Sequence, residues 1–173
     1  MDDLKQGGIA IIDYGSQYTQ LIARRVRELG VYSEVFAHDG TEEHINQHDP
    51  AGYILSGGPN SVYEKGAPYL PSFILDGDKP IFGICYGMQL LTHALGGTVA
   101  PSSEREYGSA TITHTVHNPL LDGLDEHLQV WMSHGDRIEA PPISFTPLAQ
   151  SENSPYAAIG DVKKSSLGGE VSP

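Results

Sequence analysis

The chain has 173 residues, 39% of them hydrophobic, enough for one compact domain with a sizeable core and too few for two. Ten Lys and Arg against twenty-two Asp and Glu give a formal net charge of -12, which repels phosphate backbones and anionic lipid, so neither a nucleic acid nor a membrane partner is expected. The single cysteine, Cys85, excludes an internal disulfide and a multi-thiolate metal site. Residues 1–8 are acidic and lack the apolar centre of an export signal, and no run of about 18 apolar residues appears; with the lone thiol, this points to a cytoplasmic setting.

In chain order, the apolar run at 9–12 reads as a strand covered on both faces, ending in the polar stretch DYGSQ. Residues 17–29 follow as a helix. Tyr18, Ile22, Val26 and Leu29 share one face, Ser16 is the expected N-cap and Gly30 the stop. VYSEVF is the next strand, AGYILSGGP a strand running into a glycine turn, and KPIFGIC a further strand. A helix over 86–95 then closes on Gly96 and Gly97. This alternation implies right-handed crossovers and an α/β fold, a mostly parallel central sheet flanked by helices. Beyond residue 100, YGSATITHTV, LQVWMSHGD and FTPLAQS are β-rich and separated by Pro, Gly and Asp turns, so extra strands are expected in the C-terminal third, with no internal linker.

Gly83-Ile84-Cys85-Tyr86-Gly87 has the glycine-x-nucleophile-x-glycine form of an elbow, where an apolar strand ends and a helix begins. The glycines permit a sharp turn and close packing, and the central residue is held in a strained position at the carboxyl edge of the sheet. A thiol at a helix N-terminus feels the positive end of the helix dipole, which favours the nucleophilic thiolate. The N–H of Tyr86 is placed to meet a developing oxyanion. The competing reading is a small apolar filler, the usual role of a free cysteine. Ser56-Gly57-Gly58-Pro59 also follows a strand and offers a second backbone donor; it is not a Walker loop, because no Gly-Lys-Ser/Thr follows.

Four strings, IAIIDYGSQYTQLIARRVRELGVYSEV, GYILSGGPNSVYE, PIFGICYGMQLLTHALGG and VWMSHGDRI, resemble in order the class I glutamine amidotransferases, in the branch that serves GMP synthase. The resemblance covers residues 8–164 and implies a flavodoxin-like amidotransferase domain that hydrolyses glutamine to glutamate and ammonia. By position it makes Cys85 the nucleophile, with Gly58 and Tyr86 as backbone oxyanion donors. Gln89 and the turn Ser133-His134-Gly135-Asp136 match positions that hold glutamine. Standing alone, Gln89 reads as an exposed helix residue and His134 as a turn histidine. The resemblance further implies a partner, an ATP pyrophosphatase domain or subunit that uses the ammonia to aminate xanthosine monophosphate to GMP. ATP and magnesium would belong to that partner, so no cofactor and no metal is expected here.

The family's pattern also includes a late histidine that takes the thiol proton, with a glutamate orienting it, in a string resembling Gly-Val-x-Phe-His-Pro-Glu. This chain reads Gly-Gly-Glu-Val-Ser-Pro at 168–173. Aligned from Leu167 and Gly168, Ser172 falls at the histidine position, and the glutamate position is residue 174. One extra G in a coding run GGG-GTG-AAG-TTT-CAC-CC converts Gly-Val-Lys-Phe-His-Pro into the observed residues, so 165–173 is expected to be an aberrant or truncated tail without the regular end of a strand. Three readings follow: an ammonia-generating amidotransferase, a silent glutamine-binding module, and an elbow-cysteine peptidase or chaperone of similar fold.

Overall fold

The computed structural model describes residues 7–114, 116–118, 120–161, 163, 166–169 and 171–172, with side chains for all of these except 104–106, 134, 166–167 and 171–172. The order begins β1 (Ile9–Asp13), α1 (Thr19–Glu28), β2 (Ser33–Ala37), α2 (Glu42–Asn46), β3 (Gly52–Leu55), α3 (Ser72–Asp76), β4 (Ile81–Ile84) and α4 (Tyr86–Ala94). Six strands follow: β5 (Thr98–His114), β6 (His127–Ala140), β7 (Thr146–Gln150), β8 (Ala158–Asp161), β9 (Ser166–Gly169) and β10 (Val171–Ser172). All ten strands join one sheet in the order β10-β6-β5-β7-β8-β9-β4-β3-β1-β2.

Strands β2, β1, β3, β4 and β9 pair in parallel, as the apolar runs and intervening helices require. Strands β5 to β8 and β10 are antiparallel additions, and β8 joins them to β9. Burial along β1 explains its unbroken apolar sequence: Ala10 and Ile12 pack into one core cluster, while Ile11 packs with Ile22, Ala23, Ile84 and Cys85 on the other face. The chain runs outward from β1 to β2 and then returns past β1 to β3, so the winding direction reverses between β1 and β3. At such a reversal the loops leaving the carboxyl ends diverge and leave a crevice.

Several expectations are corrected. Helix α1 starts at Thr19 with Tyr18 as N-cap; Ser16 Oγ instead accepts the Tyr18 N–H at 3.0 Å, one turn-residue before the helix. Leu29 is the C-cap and 82% exposed, because the helical face has already turned away from the sheet, and Gly30 takes the positive φ that ends the helix. The two short helices α2 and α3 and the strands β8 to β10 go unread in the sequence. The tail keeps regular backbone at Ser166–Gly169, which pairs with both β4 and β8, and at Val171–Ser172, which pairs with β6. Ladder hydrogen bonds use main-chain groups, so altered side chains do not forbid them. Residues 165, 170 and 173 of that tail lie outside the described residues.

Candidate active site

Three loops at the carboxyl ends of β1, β3 and β4 line a cleft of about 740 Å³. At its base Cys85 joins β4 to α4 with φ 48° and ψ -109°. Asp49 is the other non-glycine residue with positive φ among those described. This backbone state costs on the order of 1–3 kcal/mol for a residue with a Cβ. A filler side chain gives no reason to bear that cost. Close packing holds the elbow in place. A Cβ on Gly83 would stand 2.6 Å from the carbonyl carbon of Gly87, and one on Gly87 would run into the carbonyl oxygen of Leu55. The Gly87 N–H donates to Ser56 O at 3.0 Å and the Cys85 N–H to Gly169 O at 2.9 Å, so the corner is pinned to β3 and to β9.

Cys85 is only 8% exposed, yet it lines the cleft. Tyr86 is the first residue of α4, so its N–H belongs to the orphan donors of a helix start. The glycine turn after β3 lies alongside: a Cβ on Gly57 would stand 3.6 Å from Cys85 Cβ. Gly58 packs so tightly on Tyr14 that a Cβ there would collide with the Tyr14 carbonyl oxygen. Ser56, fully buried, fastens this turn to β1. Its Oγ accepts the Tyr14 N–H at 2.9 Å and its hydroxyl donates to Gly57 O at 2.9 Å.

The cleft gathers Cys85, Gly58, Tyr86, Gln89, Ser133, Gly135 and Asp136. The side chain of His134 lies outside the described residues. Gln89 is 3% exposed and not a surface residue of its helix; its Nε2 donates to the Asp136 backbone oxygen at 3.3 Å, tying α4 to β6. The Asp136 carboxylate, also buried, accepts the Ser61 hydroxyl at 2.5 Å and the Tyr63 hydroxyl at 2.6 Å. Sequence reasoning missed Ser61 and Tyr63, although both lie in the quoted stretch ILSGGPNSVY and alternate as cleft-facing positions after its glycine turn. The bond to Asp136 holds the Tyr63 phenol above its ordinary pKa. Behind the elbow, burial raises Tyr86 to about 12 and pushes Tyr14 higher still; Tyr86 donates to Pro68 O at 2.6 Å. Among the described residues no cluster of three or more His, Cys, Asp or Glu is arranged to hold a metal ion, and no helix is long and apolar enough to cross a membrane.

The fold thus brings a cysteine on a strained elbow, a helix start and a glycine turn to one crevice. The family model for glutamine amidotransferase class-I matches residues 10–168, and the chain belongs to that family. Within it, the chain is 54% identical over 151 residues to GMP synthase [glutamine-hydrolyzing] of Thermomicrobium roseum, covering 87% of this chain and 29% of that protein. It is 52% identical over 161 residues to the protein of the same name from Dehalococcoides mccartyi, covering 92% and 30%. The chain thus spans somewhat under a third of the length of these curated relatives. In three dimensions it matches a proposed GMP synthase subunit from Thermoplasma acidophilum with a TM-score of 0.86 at 26% identity, covering 96% of this chain and 83% of that one. A glutamine amidotransferase of Thermotoga maritima shares the fold at a TM-score of 0.77 and 19% identity, covering 96% and 76%.

Proposed function

We propose that this chain is the glutamine-handling part of a GMP synthase, with Cys85 as the nucleophile that takes ammonia from glutamine. The observation that carries the reading is the positive φ of Cys85 at the β4–α4 corner, beside the Gly57–Gly58 turn. In this chemistry the Cys85 sulfur adds to the side-chain amide carbon, and the carbonyl electron pair moves onto oxygen. The backbone N–H groups of Tyr86 and Gly58 are the donors for that oxyanion. The C–N bond then breaks as the nitrogen takes a proton, ammonia leaves, and a thioester remains on Cys85. Water adds to the thioester, glutamate departs and the thiol is restored. Gln89 and residues 133–136, which lie within β6 and not in the turn expected from the sequence, hold the amino and carboxylate ends of glutamine. A synthetase domain or subunit with its ATP and magnesium consumes the ammonia to aminate xanthosine monophosphate.

The proton-transfer partner decides the turnover. Residues 135–173 contain no histidine, and by the family resemblance Ser172 falls at the position of the base. Gly169 lies against the elbow, and Val171 and Ser172 pair with Met132 and Trp131 of β6, the strand bearing Ser133. A serine hydroxyl is a poor proton acceptor at neutral pH, and loss of a triad member removes roughly 10⁴-fold or more in rate. Ser172 therefore favours a second reading, in which the 173-residue chain binds glutamine and hydrolyses it very slowly. One experiment serves both readings: treat the chain with a diazoketone analogue of L-glutamine, map the adduct by mass, and assay ammonia release from glutamine. A Cys85 adduct blocked by excess glutamine, with little ammonia released, is expected. Absence of the adduct would contradict both readings, and rapid ammonia release abolished by Cys85→Ala would contradict the slow-turnover reading.

A further inference from the structure

The geometry points to Ser61 and Tyr63 as positioning residues that aim the Asp136 carboxylate at the amino end of the ligand. The identity of that ligand rests on the glutamine reading above. Asp136 belongs to β6, whereas the two hydroxyls come from the loop after β3, 75 and 73 residues away in sequence. The loop brings both donors forward in a closed turn. The Glu64 N–H donates to Ser61 O at 3.0 Å, and Glu64 Oε2 accepts the Ser61 N–H at 3.2 Å. From that turn Ser61 reaches one carboxylate oxygen and Tyr63 the other, so the plane of the carboxylate is set from both sides.

The choice of hydroxyls matters for the chemistry. Both donors are neutral, so they orient Asp136 without cancelling its charge, where a lysine or arginine at either position would do so. An ammonium group entering the cleft then meets an anion already fixed in direction, and the ordering cost of that contact falls. The same loop carries Gly57 and Gly58, so one segment holds both the oxyanion side of the cleft and the amino side.

The test compares two covalent probes on the 173-residue chain: a diazoketone analogue of L-glutamine and its counterpart lacking the α-amino group. The measured quantities are the half-saturating concentration and the limiting rate of Cys85 labelling. Tyr63→Phe and Ser61→Ala are each expected to raise the half-saturating concentration of the amino probe about tenfold, leaving its limiting rate and the des-amino probe nearly unchanged. Ser61→Thr, which keeps the hydroxyl, restores the wild-type value. Equal weakening of both probes would mean a structural role only, and unchanged values for the amino probe would also overturn the assignment. Wild-type labelling with unaffected variants removes this inference alone, whereas a wild-type chain that reacts with neither probe removes the glutamine reading and this inference with it.

Discussion

Cys85 combines two properties that pull apart in a structural residue: it packs with Ile11, Ile22, Ala23 and Ile84, and it holds a backbone conformation that disfavours any side chain with a Cβ. The combination yields a prediction that involves no substrate. Cys85→Gly should be more stable than Cys85→Ala by about 1 kcal/mol, because glycine alone relieves the positive φ. Urea unfolding of the two variants measures the difference. At an unstrained core position alanine would be the more stable, through its restriction of the unfolded chain. Asp136 teaches a related lesson. Its place among the cleft residues was readable by position, although it stands in β6 and not in a turn; its hydroxyl partners come from a remote loop, and side-chain pairing across more than seventy residues leaves no local trace.

At the scale of elements, Ser56 fastens the ends of β1, β3 and β4 together: its side chain bonds Tyr14 N–H and Gly57 O, and its backbone bonds Ile12 O and Gly87 N–H. Ser56→Ala would strand the Tyr14 N–H in a buried place, at a cost of about 1–3 kcal/mol. It should also slow labelling of Cys85, since the Gly57–Gly58 turn loses its anchor. Denaturant unfolding together with labelling rate separates these two consequences. The four strands β1 to β4 and helices α1 and α4 were legible because an apolar run bounded by glycine, or an apolar face with a stop residue, is a strong local signal. The five-residue helices α2 and α3 carry too little periodicity to register, and the N-cap of α1 was misplaced by two residues because Ser16 bonds within the preceding turn. Strands β8 to β10 depend on partners in the sheet and not on their own sequence.

For the whole molecule, the buried tyrosines link folding to alkaline pH. In the unfolded chain a tyrosine gives up its proton near pH 10, whereas burial holds Tyr86 protonated to about pH 12 in the native state, with Tyr14 shifted in the same direction. The unfolded state therefore binds fewer protons than the native state between those values, and stability falls as pH rises. Below pH 10 this contribution is fully present. Denaturant midpoints measured from pH 8 to pH 12 should stay flat with respect to these groups and then decline above about pH 10; in Tyr86→Phe the decline should be shallower.

The sequence by itself determined the class of fold, the strand-to-helix corner bearing Cys85, and the residue types of the cleft. Each of these follows from local rules: covered strands are continuously apolar, sharp corners need glycine, and a nucleophile needs a donor-rich helix start. Only the tertiary structure decided that the corner holds a positive φ, that Gln89 is buried against β6, and that Ser61 and Tyr63 reach Asp136. It also decided that Gly169 is laid against the elbow. Those outcomes depend on the winding reversal between β1 and β3, which brings distant loops to one end of the sheet, and no short-range pattern encodes that meeting.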